Sequence, residues 1–295
     1  MSSRPEAIPT PTTTTIAVSA GRRRPTYDRP RFLVLLTVLV YLYLFVPILV
    51  VVAFSFNASR SLQGMRGLSL EWYRRFLSDS DIISSLSVSL VIALATMLVA
   101  TVLGTTLALG LVRSRSRVTQ PANVLMLLPL VTPEIVTAVA ALLLFSQIGL
   151  TLSLTTVAIA HITFSISYVT IIVRGRLADI DRSIEEAGLD LGATRLQTVR
   201  LVVLPQLWPA IAAAGMLVFV MSFDDFVTSF FTSGSGVPPL PVRIYSMIKF
   251  SVSPEINAIG TLMMAVTLGT LVAAILLVRR SGRRGLRPTT TAPLG

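Results

Sequence analysis

Six long apolar runs constrain the fold of this chain more than any other feature of its sequence. A helix needs about 20 apolar residues to cross a hydrocarbon core of about 30 Å, and every run is at least that long. The runs cover residues 32–56, 82–112, 122–148, 151–173, 208–231 and 256–278. Pro133-Glu134 interrupts the third of them. We therefore predict an all-α integral membrane protein with six transmembrane helices in contact with membrane lipid.

The composition argues against several other classes of protein. Charged residues make up 13% of the 295 residues, about half of the roughly 25% that a soluble domain carries, which disfavours a soluble enzyme. The absence of cysteine removes disulfides and thiolate catalysis. A single histidine, His161, is too few for a His-based metal site and gives an intramembrane hydrolase little to build from. We predict no catalytic residue and no bound metal.

The basic residues indicate the orientation of the chain in the membrane. The net charge is +11, and with the N-terminus in the cytoplasm 19 of the 25 Arg and Lys residues fall in cytoplasmic segments, as the positive-inside rule requires. We therefore predict cytoplasmic termini and no binding of nucleic acid. The predicted parts are a disordered cytoplasmic tail at 1–31, a six-helix transmembrane domain at 32–278 and a basic cytoplasmic tail at 279–295.

The segment 174–208, between the fourth and fifth runs, is far longer than a simple connection. Ser183 and Glu186 have the spacing of a helix N-terminal capping box, and Gly192 stands where a C-cap glycine belongs. Five acidic residues within 179–190 argue against a connector that rests on anionic headgroups. A helix this short needs a partner to be stable, so we expect it to bind another protein.

A second short helix is predicted directly after the first. Thr194 and Gln197 repeat the capping-box spacing. The residue before a proline disfavours the α conformation, so this helix is expected to end before Pro205. The loop is therefore predicted to contain two helices joined at Gly192-Ala193.

These residues resemble the E-A-A…G…I-x-L-P motif of the membrane subunits of bacterial ABC importers. The spacing matches throughout, with Gly188 in place of the second alanine and Val202 in place of isoleucine. The resemblance implies that the loop contains a coupling helix that docks in a cleft of a cytoplasmic ATPase. The coupling residues that it implies are Glu186, Ala187, Gly188, Gly192, Leu204 and Pro205.

The resemblance extends across about residues 30–280 and is closest to spermidine/putrescine-type permeases, in particular to the second permease subunit of such importers. The segments that carry it are Tyr43 to Pro47, Phe54 to Asn57, Leu70 to Tyr73, Pro129 to Ile135, Ala160 to Phe164, Ser222 to Val227, Leu240 to Met247 and Ser253 to Asn257. The last two are the most specific to the polyamine branch.

The resemblance implies the type I ABC importer permease fold and a subunit that forms half of the translocation path for polyamines. It also implies a bacterial inner membrane and the partners of such an importer: a second permease subunit in a heterodimer, two copies of an ATPase and an extracytoplasmic binding protein. No G-x-x-x-x-G-K-S/T sequence is present, so ATP and Mg are expected on the ATPase, and this chain is expected to bind no cofactor and to be no enzyme. The alternatives are an importer for another small solute, such as iron or thiamine, and a secondary transporter.

Polar residues inside the apolar runs are candidates for the substrate path. A carboxylate in hydrocarbon costs about 2.5–3.5 kcal/mol even on insertion scales, so an intramembrane acid is a functional candidate by default. The candidates are Glu134, His161, Asp224, Asp225 and Thr228. Three alternatives remain open: Glu134 caps a helix restart after the proline, His161 is an interhelical hydrogen-bond donor, and the aspartate pair satisfies a helix break or pairs with an arginine of a partner subunit.

A helical wheel of an unbroken fifth span assigns its two faces. It places Asp224, Asp225 and Thr228 on the side opposite to a phenylalanine stripe. The stripe consists of Phe219, Phe223, Phe226 and Phe230. If the carboxylates face a watery path, the phenylalanines are expected to face lipid or a neighbouring helix.

Overall fold

The computed structural model describes residues 31–59, 64–65, 67–113, 119–250 and 253–284. Within these ranges the chain forms α-helices and no β-strand, as predicted. The helices are α1 Arg31–Ser55, α2 Glu71–Ser78, α3 Ser80–Arg113, α4 Thr119–Val131, α5 Glu134–Gln147, α6 Leu154–Ala178, α7 Arg182–Asp190, α8 Arg195–Thr198, α9 Leu204–Phe223, α10 Val227–Thr232, α11 Leu240–Phe250 and α12 Glu255–Arg284. A π-helical turn, Val199–Val203, joins α8 to α9.

The chain divides into two compact units after Pro47. The described part of the first unit is the stretch of α1 from Arg31 to Pro47, and every side chain in it is exposed. An apolar helix that is exposed on all sides needs lipid or another protein around it. The predicted disordered tail lies outside the described residues except for Arg31.

The second unit is built around α3, α6 and α9, which make its most extensive helix contacts. Their shared core contains small residues on α3 and branched residues on α6 and α9, among them Ala100, Val169 and Val218, which are completely buried. Gly104 on α3 meets α6 so closely that a Cβ there would lie 2.6 Å from the Cβ of Val169. Such close backbone approach is typical of helix pairs in membranes, and at this crossing it requires glycine.

All six apolar runs lie in helices, but the third run is not straight. Among the described residues, five helical segments are long and apolar enough to span a membrane: α1, α3, α6, the continuous stretch Arg195–Phe223 and α12. The third run forms α4 and α5, which are bent by 110° at the break between Val131 and Glu134. Pro133 at this break has no N–H to continue the helix and restricts the residue before it. The chain therefore has six spans if the bent pair crosses the membrane as one.

The predicted boundaries of the transmembrane domain stay a prediction, and α12 extends beyond the predicted end. The sixth run was expected to end at Val278, whereas α12 continues to Arg284. The basic residues at the start of the predicted tail are therefore helical. Positions 285–295 lie outside the described residues.

Two short helices pack against the ends of the longer ones. Trp72 and Phe76 of α2 are buried, and the Trp72 Nε1–H donates to the carbonyl of Asn57 at 2.7 Å. Phe76 packs with Leu240 of α11 in a core that also includes residues of α3 and α12. The backbone N–H of Leu240 donates to Ser89 Oγ of α3 at 2.8 Å.

Candidate functional site

The fifth apolar run contains a helix break at its two aspartates. Helix α9 ends at Phe223, the three residues Asp224, Asp225 and Phe226 are not helical, and α10 begins at Val227. The helical wheel of an unbroken fifth span therefore does not describe this run, and the helix break that the alternatives included is present. Breaking a helix exposes backbone N–H groups that need acceptors, and the sequence supplies a carboxylate at this point.

Asp225 provides the acceptors for the start of α10. Its Oδ2 accepts from the backbone N–H of Ser229 at 2.9 Å, and its Oδ1 accepts from that of Thr228 at 3.4 Å. The residue is buried, with 7% of its surface exposed. Of the alternatives for the aspartate pair, satisfaction of a helix break is the one that this geometry matches for Asp225.

His161 lies behind this break and is completely buried in α6. Its Nε2 is 2.9 Å from Asp225 Oδ2, and its Nδ1 is 2.7 Å from the Oγ of Ser222 in the last turn of α9. Ser229 Oγ lies 3.4 Å from the same Nε2. These contacts match the interhelical hydrogen-bonding alternative for His161, because no surface of the ring remains for a solute.

A cavity of about 520 Å³ lies in front of the break. Three carboxyl groups line it, those of Glu134, Asp224 and Asp225. The remaining lining residues are Pro129, Leu130, Thr132, Thr137, Phe164, Tyr168, Met221, Phe226 and Val227. The structure therefore brings together three of the five path candidates, from the start of α5 and the break between α9 and α10.

The two other candidates do not line the cavity. His161 is separated from it by Asp225, as described above. Thr228 is buried in α10, where its backbone N–H donates to Asp225 and its carbonyl accepts from the Thr232 hydroxyl at 2.7 Å. The helical wheel failed for Thr228 because α10 does not continue the axis of α9.

The two aspartates have different environments. Asp224 is exposed toward the cavity, whereas Asp225 is held by His161 and by backbone N–H groups. Glu134 is also exposed, and its carboxyl lies within hydrogen-bonding reach of that of Asp225. Helix α5 does begin again at Glu134, but no side-chain capping bond forms there. Among the residues that the structure describes, no Arg or Lys side chain is paired with Glu134 or Asp224.

Three aromatic rings of the cavity were missed or misplaced by the sequence analysis. Phe164 and Tyr168 of α6 line it, and Phe226 was assigned to the opposite face of an unbroken helix. The break turns Phe226 toward the carboxylates. A signal for the other two exists in the spacing of His161, Phe164 and Tyr168, which places them on one face of α6. The site thus combines carboxylates with aromatic faces, a combination suited to organic ammonium ions.

The loop between α6 and α9 contains the predicted C-cap at Gly192 and the predicted N-cap at Thr194. The N-cap at the start of α7 differs from the predicted one. The N-cap of α7 is Asp181, whose carboxylate accepts from the Ser183 N–H at 2.9 Å, so the capping box predicted at Ser183 is wrong. This hydrogen bond lowers the pKa of Asp181. At the other end Gly192 has a φ of +86°, and the N–H groups of Ala193 and Gly192 donate to the carbonyls of Gly188 and Leu189. This pairing is a Schellman motif.

The second helix of the loop begins as predicted and continues further than predicted. Thr194 Oγ1 accepts from the Gln197 N–H at 3.3 Å, and Gln197 Oε1 accepts from the Thr194 N–H at 2.8 Å. The helix does not end before Pro205, because the π-helical turn Val199–Val203 carries it into α9. A π-helical turn widens the backbone spacing, which accommodates a residue without an N–H. Leu204 and Pro205 form the first turn of α9.

The implied coupling residues lie on an exposed surface. Helix α7 has no buried residue, and Glu186 and Ala187 are both exposed. Gly188 is half-buried, and its Cα faces the side chain of Thr198. The apolar side chains of Ile184 and Leu191 are 43% and 89% exposed. Exposed apolar side chains beside polar ones are typical of a surface that binds a protein.

Long apolar helices around a cavity lined by carboxyl groups are typical of helical membrane transport proteins, and this chain has both features. Comparison with known proteins makes the class specific. Residues 100–285 match the family described as "Binding-protein-dependent transport system inner membrane component". The chain belongs to this family, whose members are non-catalytic membrane subunits of ABC transporters.

Two relatives illustrate the similarity within the family. The putrescine transport system permease protein PotI of Escherichia coli (strain K12) is 36% identical over 236 residues, which are 77% of this chain and 84% of the relative. The spermidine/putrescine transport system permease protein PotC of Haemophilus influenzae is 36% identical over 225 residues, which are 76% of this chain and 88% of the relative.

Solved structures support the fold. A subunit of the MetNI methionine ABC transporter in an inward-facing conformation aligns with a TM-score of 0.59 at 17% identity, over 68% of this chain and 95% of that chain. A chain of a bacterial ABC transporter that imports the polysaccharide alginate aligns with a TM-score of 0.61 at 15% identity, over 88% and 96%. The prediction of an ABC importer permease fold is confirmed.

Proposed function

We propose that this chain is the membrane-spanning subunit of an ATP-driven importer for polyamines and forms half of the translocation path. The observation that carries the proposal is the cavity at the α9–α10 break, where Glu134 and Asp224 present exposed carboxyl groups beside three aromatic rings. The polyamine permeases PotI and PotC, which are 36% identical to this chain, support the same class of substrate.

The chemistry of the cavity suits a flexible chain that carries several ammonium groups. Removing a charged ammonium from water is costly unless an opposite charge replaces its hydration. Asp224 supplies that charge, Glu134 presents a second exposed carboxyl group to the same cavity, and neither is paired with a described Arg or Lys side chain. The faces of Phe164, Tyr168 and Phe226 add cation–π attraction of about 0.5–2 kcal/mol each where the contact is desolvated. An aliphatic segment between two ammonium groups also packs favourably on these rings.

The proposed partners are a second permease subunit in a heterodimer, two copies of a cytoplasmic ATPase and an extracytoplasmic binding protein. Glu186, Ala187, Gly188 and Gly192 would dock with one ATPase, and the exposed apolar residues of α7 support this assignment. Leu204 and Pro205 would transmit the docked position into α9. We place ATP and Mg on the ATPase and no cofactor on this chain, since its sequence contains no P-loop.

We further propose that the protein resides in a bacterial inner membrane with both termini in the cytoplasm. An even number of crossings returns a chain to the side where it started, so this topology requires the bent pair α4–α5 to cross as one span. The distribution of Arg and Lys supports six crossings. Reporter fusions at both ends test the topology, and termini on opposite sides would show that α4–α5 enters and leaves on one side.

The test of the substrate is uptake of labelled putrescine and spermidine by the assembled importer in proteoliposomes. Asp224→Asn and Glu134→Gln replace the two exposed carboxyl groups of the cavity with amides of similar shape. A hydrogen bond to a charged group contributes about 1.5–3 kcal/mol, so we expect uptake to fall by about 10- to 100-fold with basal ATPase activity retained. Glu71→Gln is the matched control, because Glu71 is an exposed acid that pairs with Arg75 away from the cavity. Parental uptake by both cavity variants in fully assembled complexes would refute the proposal.

A further inference from the structure

One imidazole ring contacts both the residue before the helix break and a residue within it. Ser222 precedes the break and Asp225 lies within it, and His161 contacts both, at 2.7 Å through Nδ1 and at 2.9 Å through Nε2. The ring belongs to α6, a different helix, and is completely buried. Asp224 lies between the two anchored positions, separated from Ser222 by Phe223 alone.

We propose that His161 is a positioning residue that fixes Asp224 in the cavity without contacting the substrate. This inference rests on the proposed function of the cavity. An exposed aspartate on a non-helical segment has backbone freedom that normally weakens binding, since ordering it costs about 1–2 kcal/mol per residue. Anchoring the residues on both sides of Asp224 removes that freedom before the substrate arrives.

The contact with Asp225 is the more important of the two. The Nε2–H donates to a buried carboxylate, and hydrogen bonds to ionised acceptors are stronger than neutral ones. With the imidazole proton on Nε2, Nδ1 is an acceptor. The Ser222 hydroxyl then donates to Nδ1, and this hydrogen bond joins two neutral groups. Without the imidazole, the Asp225 carboxylate keeps the N–H groups of Ser229 and Thr228 and the neighbouring carboxyl of Glu134, but loses the donor that holds it toward α6. The Asp225 carboxylate then gains hydration by turning toward the water of the cavity. The start of α10 and Asp224 move with it.

Two substitutions separate the two contacts. The side-chain amide nitrogen of glutamine reaches approximately the position of Nε2, so His161→Gln keeps a donor for Asp225 and loses the contact with Ser222. The amide of asparagine is shorter and reaches approximately the position of Nδ1, so His161→Asn keeps the contact with Ser222 and loses the one with Asp225. Ser222→Ala removes the neutral contact alone.

The experiment measures uptake of labelled putrescine by the assembled importer at saturating loaded binding protein, together with ATP hydrolysed per putrescine imported. We expect His161→Asn to lower uptake about tenfold and to raise the ATP cost per putrescine, as Asp224→Asn does, with complex abundance unchanged. We expect His161→Gln and Ser222→Ala to stay within about threefold of the parent. If His161 acts through Asp224, the double variant His161→Asn/Asp224→Asn is no worse than Asp224→Asn alone, because coupled sites are not additive.

Three results would overturn the inference alone while Asp224→Asn still lowers uptake. They are additive losses in the double variant, parental uptake by His161→Asn, and a loss of uptake in an assembled His161→Gln complex equal to that of His161→Asn. If His161→Asn fails to assemble, the uptake of the assembled His161→Gln complex is compared with that of Asp224→Asn instead. An equal loss in these two variants also overturns the inference. If Asp224→Asn itself leaves uptake unchanged, the inference fails, and the proposed function of the cavity fails with it only if Glu134→Gln also imports at the parental rate.

Discussion

Helix α7 offers a prediction in which two glycine-to-alanine substitutions four residues apart have opposite effects. Gly188 is helical and a Cβ there would lie 3.5 Å from Thr198, an ordinary van der Waals distance. Gly192 has a φ of +86° and a Cβ there would meet no atom within 4 Å. Glycine therefore lowers the stability of α7 at position 188, whereas the left-handed backbone at position 192 requires glycine.

The magnitudes follow from backbone propensities. Alanine is about 1 kcal/mol more favourable than glycine inside a helix, so Gly188→Ala stabilises α7 by about that amount. A left-handed conformation costs a residue with a Cβ about 1–2 kcal/mol, and Gly192→Ala gains no compensating contact. One to two kcal/mol changes an opening equilibrium by a factor of about 5–30. Because α7 has no buried residue to add stability, these backbone differences make up most of the effect.

Millisecond hydrogen exchange of the purified chain in lipid nanodiscs measures the opening of α7 directly. We expect exchange of the amides in 185–193 to slow about fivefold in Gly188→Ala and to accelerate about 5- to 30-fold in Gly192→Ala. Peptides from α6 provide the internal control, since they should exchange at parental rates in both variants. Faster exchange in Gly188→Ala, or the same direction in both variants, would refute the assignment of Gly192 as the C-cap and of Gly188 as an interior position.

Three further predictions concern packing and coupling. Gly104→Ala should destabilise the α3–α6 crossing by about 1–3 kcal/mol through overpacking, visible as a lower melting temperature in detergent, and Val169→Ala in the same chain should not rescue it, because alanine keeps the Cβ that lies 2.6 Å away. Gly234→Ala should lower the yield of folded protein in membranes, because a Cβ at this residue of positive φ would lie 2.2 Å from the carbonyl oxygen of Leu152. Glu186→Lys should leave membrane insertion and assembly of the two permease subunits intact while it abolishes uptake, as measured by blotting of membranes and by transport.

Controls for the packing predictions exist in the same helices and loops. A Cβ at Gly110 of α3 or at Gly236 would meet no atom within 4 Å. Alanine at either position should therefore be neutral or slightly stabilising. Equal losses at Gly104 and Gly110 would mean that close packing at the α3–α6 crossing is not the cause, and equal losses at Gly234 and Gly236 would exclude the contact with Leu152. Uptake by Glu186→Lys at the parental rate would contradict the coupling assignment.

Local chemistry made much of this fold predictable from the sequence. Each apolar run forms helix because a backbone in lipid must satisfy its own hydrogen bonds. Gly192 and the pair Thr194 and Gln197 act on neighbours within five residues, so their spacing alone indicated the C-cap glycine and the second N-terminal cap. The start of α7 was misplaced by two residues because Asp181 competes with Ser183 as a cap, and both residue types are good acceptors.

The cavity depends on contacts that sequence spacing does not reveal. The break at Asp224 was hidden inside an apolar run, and it is stabilised by His161, which is more than 60 residues away along the chain. The bend before Glu134 was visible as a proline, but its angle of 110° depends on how α4 and α5 pack. A wheel drawn through an unbroken helix therefore misplaced Phe226 and Thr228.

The π-helical turn Val199–Val203 makes the loop and the cavity two ends of one rod. The helical stretch Arg195–Phe223 contains 29 residues, which gives a length of about 43 Å at 1.5 Å per residue. Had the chain bent at Pro205, a flexible joint would separate α8 from α9. Without such a joint, a tilt of about 5° around the midpoint of a rod of this length shifts each end by about 2 Å in opposite directions. For such a tilt, a small displacement of the helix at Arg195 is accompanied by a displacement of equal size and opposite direction at the Asp224 break.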